Sequence, residues 1–117
     1  MKILLADDDA DIREVATHLL GRHSWDVATV TNGEEAAEAL AAERYDIAVL
    51  DQNMPPGSGL EVAAVRREAG DAIPIILWTG WGGLIDREET ERLDVHVVNK
   101  AEITRLADVI EELAGSQ

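Results

Sequence analysis

Residues 46–62 read DIAVLDQNMPPGSGLEV. The apolar run DIAVL has the continuous character of a strand buried on both faces of a parallel sheet. It stops at Asp51, and the turn formers Pro55, Pro56, Gly57 and Ser58 follow. Leu60, Ala63 and Ala64 then fall at helical spacing, and Gly59 suits the tight turn that opens this helix. A buried strand, an acidic tip, a turn and a helix make one β/α unit.

The same grammar recurs on both sides. KILLA (2–6) and PIILWT (74–79) are further continuous apolar runs, and Pro74 is tolerated as the first residue of a strand. DVATV (26–30) and VHVV (95–98) are shorter and more polar, which suits outer strands. Ile12, Val15, Ala16, Leu19 and Leu20 have helical spacing, as do Ile103, Leu106, Ile110 and Leu113. TNGEEAAEALAAE (31–43) places Glu34 three residues after Thr31, as in a capping box, and continues through strong helix formers. GGLIDREETERL (82–93) is polar and opened by glycines, the weakest helix of the set. Five β/α repeats predict one α/β domain over 1–117, with a parallel sheet, right-handed crossovers and helices on both faces.

Composition narrows the function. A length of 117 residues with 46% hydrophobic content supports one core without staples. The absence of cysteine excludes disulfides, thiolate metal sites and a cysteine nucleophile. A net charge of -14, from 24 acidic and 10 basic residues, repels phosphate backbones, so direct nucleic-acid binding is not expected. The first apolar run is too short for a signal peptide and no segment approaches spanning length, so a cytoplasmic protein with no membrane contact is expected.

In open α/β sheets, functional groups collect beyond the carboxyl ends of the strands. Asp7 and Asp8 follow the first strand here, and Asp51 the third. Thr79 ends the fourth, with Gly80 next, and Lys100 follows the fifth. Clustered carboxylates with no cysteine or histidine beside them form a hard-oxygen site, suited to a divalent cation such as Mg²⁺. Such an ion relieves a repulsion of about 4 kcal/mol between charges 4 Å apart at the effective dielectric of a protein surface. Asp9 is read instead as the cap of the first helix. His18, His23 and His96 show no ligand spacing.

These residues resemble the response-regulator receiver domains of two-component signalling, similar to the single-domain chemotaxis regulators. The likeness rests on ILLADDD (3–9), on the D-x-x-M-P-x-x-x-G spacing from Asp51 to Gly59, on PIILWTG (74–80) and on Lys100. It implies a doubly wound, flavodoxin-like (βα)5 three-layer sandwich with strand order 2-1-3-4-5. It implies that Asp51 is the phosphoacceptor, served by a histidine kinase or phosphotransfer protein. Asp8, the Asp51 carboxylate and the backbone carbonyl of Asn53 would bind Mg²⁺ or Mn²⁺, with Asp7 acting mainly through water. Lys100 and the Thr79 hydroxyl would hold phosphoryl oxygens, and Gly80 would leave room for the phosphate. The resemblance further implies an output protein or domain downstream, a monomer or weak dimer, and a switch rather than a dedicated enzyme.

Two positions depart from the family pattern. Val97 stands where receivers carry Tyr or Phe, and a valine cannot sweep through a large rotamer change. Trp81 is therefore the expected moving aromatic, and a modulator of phosphoryl lifetime together with Asn53. Ala101 stands where proline usually follows the lysine, and a cis bond before a non-proline residue costs roughly 2.5–4 kcal/mol, so a trans link is expected. The competing expectation is a degenerate receiver that binds partners without phosphorylation.

Overall fold

The computed structural model describes residues 1–80 and 85–115. Strands β1 (Lys2–Ala6), β2 (Asp26–Val30), β3 (Ile47–Leu50), β4 (Ile75–Thr79) and β5 (Val95–Asn99) alternate with helices α1 (Ala10–Gly21), α2 (Gly33–Ala42), α3 (Gly59–Glu68), α4 (Arg87–Arg92) and α5 (Ile103–Gly115). All strand pairs are parallel, in the order β2-β1-β3-β4-β5. The two more polar strands occupy the edges, as their composition predicts. Among the described residues, no helix is long and apolar enough to cross a membrane.

Period-two alternation sorts each inner strand into two cores. From β1, Leu4 and Ala6 pack with Leu40 of α2 and with Val62 and Ala63 of α3, whereas Ile3 and Leu5 pack with Ala16 and Leu20 of α1 and with Leu106 and Ile110 of α5. Burying each such leucine or isoleucine contributes roughly 1.5–3 kcal/mol. Both faces of β1, β3 and β4 are thereby covered, and function is left to the strand ends.

Local signals set most helix starts. The Asp9 carboxylate accepts from the amides of Asp11 and Ile12, so the capping role expected of it holds. The α2 box lies one residue later than the Thr31–Glu34 spacing predicts. Asn32 is the cap and accepts from the Glu35 amide at 2.8 Å, while the Glu35 carboxylate accepts from the Thr31 amide and hydroxyl. The first residue of the helix is also a close approach: a Cβ on Gly33 would lie 3.0 Å from the Gly57 backbone, so a larger residue there would press on that loop. Val15 is 53% exposed and leaves the core face of α1 to Ile12, Ala16 and Leu20.

Helix α4, expected to be weak, is six residues long. Its C-terminal end is braced from α3, where Arg67 donates to the carbonyls of Leu93, Asp71, Ile73 and Asp94 at 2.7–3.2 Å. Arg67→Met keeps the apolar stem and removes every one of these donors. It is expected to cost about 1–2 kcal/mol in urea unfolding and to speed amide exchange at Leu93 and Asp94.

Candidate functional site at the carboxyl rim of the sheet

The sheet ladder extends one step past the strands and carries the site residues with it. The Asp7 amide donates to Val30 O (3.2 Å), the Asp51 amide to Ala6 O (2.9 Å) and the Lys100 amide to Thr79 O (3.0 Å). Asp7 is fully buried and Asp51 is 5% exposed, whereas Asp8 is open to solvent. One carboxylate oxygen from each lies within 4.8 Å of the others.

Lys100 closes the cluster. Its Nζ sits 2.6 Å from Asp7 Oδ2 and 3.2 Å from Asp51 Oδ2. The remaining oxygens draw on the backbone: Asp7 Oδ1 accepts from the Asp9 amide (2.9 Å) and Asp51 Oδ1 from the Asn53 amide (3.4 Å). Burial raises the Asp51 carboxyl above its ordinary value, Asp7 raises it further, and Lys100 only partly offsets them. Burial pulls Lys100 down, but its 2.6 Å contact with the Asp7 carboxylate and the fields of Asp51 and Asp7 outweigh it, so the group is raised and stays an ammonium.

This donor set fits a divalent cation. All the ligating atoms are oxygens, the carboxylates cost energy when left together, and among the described residues the fully buried Asp7 Oδ2 has no aligned hydrogen-bond donor despite its ion contact with Lys100. Of the residues expected at the rim, the structure brings Asp7, Asp8, Asp51 and Lys100 together. Thr79 is buried at the tip of β4, between β3 and β5, in register with Asn99. Asn53 and Gly80 are exposed beside the rim, and a Cβ on Gly80 would meet nothing within 4 Å. Val97 faces outward at 40% exposure, in a groove with Ile85, Arg87 and Arg105. Among the described residues the one cis peptide bond joins Pro55 to Pro56, so the Lys100–Ala101 bond is trans, as expected. Trp81 lies outside the described residues, and with it the expected aromatic replacement.

Two further side chains reach the site unannounced by the motif spacing. Arg13 Nη1 donates to Asp7 O at 2.7 Å, and Lys100 Nζ lies 5.7 Å from the centre of the Trp78 ring. Strand alternation was the signal available for Trp78, since it shares a face with Ile76 and Val98.

The family model for the response regulator receiver domain matches residues 3–110. The chain belongs to this family. The response regulator protein PilR of Pseudomonas aeruginosa is 36% identical to this receiver over 83 residues, which cover 71% of this chain and 19% of PilR. The receiver thus spans about a fifth of that relative. The response regulator TrrA from Thermotoga maritima, solved in complex with Mg²⁺-BeF, is 32% identical with a TM-score of 0.86, covering 96% of this receiver and 97% of TrrA. TrrA solved in complex with the histidine kinase ThkA superposes with a TM-score of 0.82 at 34% identity, over 96% and 97% of the two chains.

Proposed function

We propose that this receiver is a phosphorylation-controlled switch in which Asp51 accepts a phosphoryl group from a histidine kinase or phosphotransfer protein. The observation that carries it is the pairing of a nearly buried Asp51 carboxylate with the Lys100 ammonium, beside Asp7 and Asp8. An Asp51 oxygen attacks phosphorus, the P–N bond of the phosphohistidine breaks, and its electron pair returns to the imidazole. The site supplies positioning and charge rather than acid–base chemistry, as phosphoryl transfer requires. Lys100 neutralises one phosphoryl oxygen, the Thr79 hydroxyl donates to another, and Gly80 leaves space for the group. Asp8, the Asp51 carboxylate and the Asn53 carbonyl would hold Mg²⁺ or Mn²⁺, with Asp7 acting through water, and the bound cation supplies further neutralisation of phosphoryl charge.

Modification adds about -1.5 to -2 charge to a rim already rich in carboxylates. Lys100 and Thr79 reorganise around that charge, and the output protein or domain reads the result. Trp81 and Asn53 modulate the lifetime of the aspartyl phosphate. On this reading the domain works in the cytoplasm as a monomer or weak dimer, without direct contact to nucleic acid. The ThkA–TrrA complex supports a kinase partner, and TrrA with Mg²⁺-BeF supports the cation.

The test is a Mg²⁺ titration followed by beryllofluoride, with tryptophan emission as the readout. Trp78 beside Lys100 is expected to report both steps, and Asp51→Asn is expected to abolish the second. A wild-type protein silent to beryllofluoride at saturating Mg²⁺ overturns the proposal in favour of a degenerate receiver.

A further inference from the structure

Lysine carries its charge on a flexible four-carbon stem, and a phosphoryl site needs that charge held in one place. The sheet places the stem. Trp78 pairs in register with Val98, and the Lys100 amide continues the β4–β5 ladder to Thr79 O. Alternation therefore sends the Lys100 side chain out on the face that Val98 shares with Trp78. The indole forms a floor there, 1% exposed and packed among Ile76, Val98 and Leu106. The ammonium lies 5.7 Å from its centroid, inside the roughly 6 Å over which a ring face attracts a cation.

The indole is a costly choice for packing alone. Among the described residues its buried Nε1–H meets no acceptor, and an unmade hydrogen bond destabilises where leucine or phenylalanine would fill the space freely. What indole offers beyond those two is the strongest cation-binding face of any side chain. We infer that Trp78 is a positioning residue: its ring fixes the Lys100 ammonium over the gap between Asp7 and Asp51, where a phosphoryl oxygen is to be met. The inference rests on the phosphoacceptor reading above.

Two measurements test it. Protein labelled with 5-fluorotryptophan gives a Trp78 resonance, assigned by its loss in Trp78→Phe. Lys100→Met is expected to shift that resonance and to leave the Trp25 resonance in place. In Mg²⁺ and beryllofluoride titrations, Trp78→Leu is expected to weaken beryllofluoride about fivefold without weakening Mg²⁺, and Trp78→Phe to fall between Trp78→Leu and wild type, as its weaker ring face requires. General loosening of the core would weaken both ligands together, and that result overturns the inference. So does an unchanged Trp78 resonance in Lys100→Met, which decides the matter even if Trp78→Leu fails to fold. Wild-type protein that binds no beryllofluoride overturns the parent reading instead, so the two failures are distinct.

Discussion

In metal-free buffer, Asp51→Asn is expected to unfold at a higher temperature than wild type, although on the proposed reading it can no longer accept a phosphoryl group. Asp51 is 5% exposed and shares a 4.8 Å cluster with Asp7 and Asp8. Its carboxyl is raised above the ordinary 3.8, first by burial and then by the Asp7 charge, and the Lys100 contact at 3.2 Å only partly compensates. A group raised on folding binds its proton more tightly in the native than in the unfolded state. Its contribution to stability is then complete below pH 3.8 and lost as the pH rises through the folded value. At neutral pH the wild type bears that loss and the asparagine variant does not. The expected gain is about 1 kcal/mol, or about 4 °C in midpoint for a domain of this size.

The sign makes two further demands. The gap between variant and wild type narrows as the pH is lowered from neutral toward 3.8. Saturating Mg²⁺ is expected to reverse the order, because ligand at a hundred times its Kd stabilises the native state by about 2.7 kcal/mol and, on the proposed reading, the variant lacks one ligating charge. Thermal unfolding followed by circular dichroism, with chelator and then with Mg²⁺, checks both. A wild type more stable than Asp51→Asn without metal would show that Lys100 outweighs burial and Asp7, contrary to the balance described above.

How far the sequence shows this arrangement depends on the range of the force involved. Apolar runs fix their own location, so KILLA, DVATV and PIILWT fall on β1, β2 and β4 almost residue for residue. The rim follows from them, because parallel strands bring every carboxyl end to one side and Asp7, Asp51 and Lys100 each stand just past a strand. Features decided by contact between distant segments were not legible. The cap of α2 falls on Asn32 rather than Thr31, where Gly33 makes its close approach to Gly57, a contact between segments that local spacing does not carry. Helical spacing alone could not show that Val15 faces solvent. Nor could motif spacing reveal Trp78 as the neighbour of Lys100, because that depends on the β4–β5 register.

Gly59→Ala is expected to disturb Asp51 from behind. Gly59 opens α3 under the tip of β3. The Ser58 hydroxyl caps the helix through the Glu61 amide, and the Gln52 side chain accepts from the Leu60 amide at 2.9 Å, so the first turn is docked against the segment that follows Asp51. A Cβ on residue 59 would stand 2.6 Å from Leu77 Cδ2 and 2.8 Å from the Asp51 carbonyl oxygen. Leu77 is fully buried and has little room to rotate, and the carbonyl belongs to the backbone of Asp51 itself. Either β3 or α3 must move, at a cost of about 1–3 kcal/mol. Because the displaced atom is in Asp51, beryllofluoride affinity should fall along with stability. Gly21→Ala is the internal comparison. It ends α1 with nothing within 4 Å of a new Cβ, so it should stabilise by about 0.5–1 kcal/mol and leave beryllofluoride binding unchanged. Chemical denaturation and the beryllofluoride titration on the two variants separate the outcomes. Equal stability and affinity in Gly59→Ala would mean that the helix can retreat from β3 freely, and that close packing behind Asp51 does not hold that residue in place.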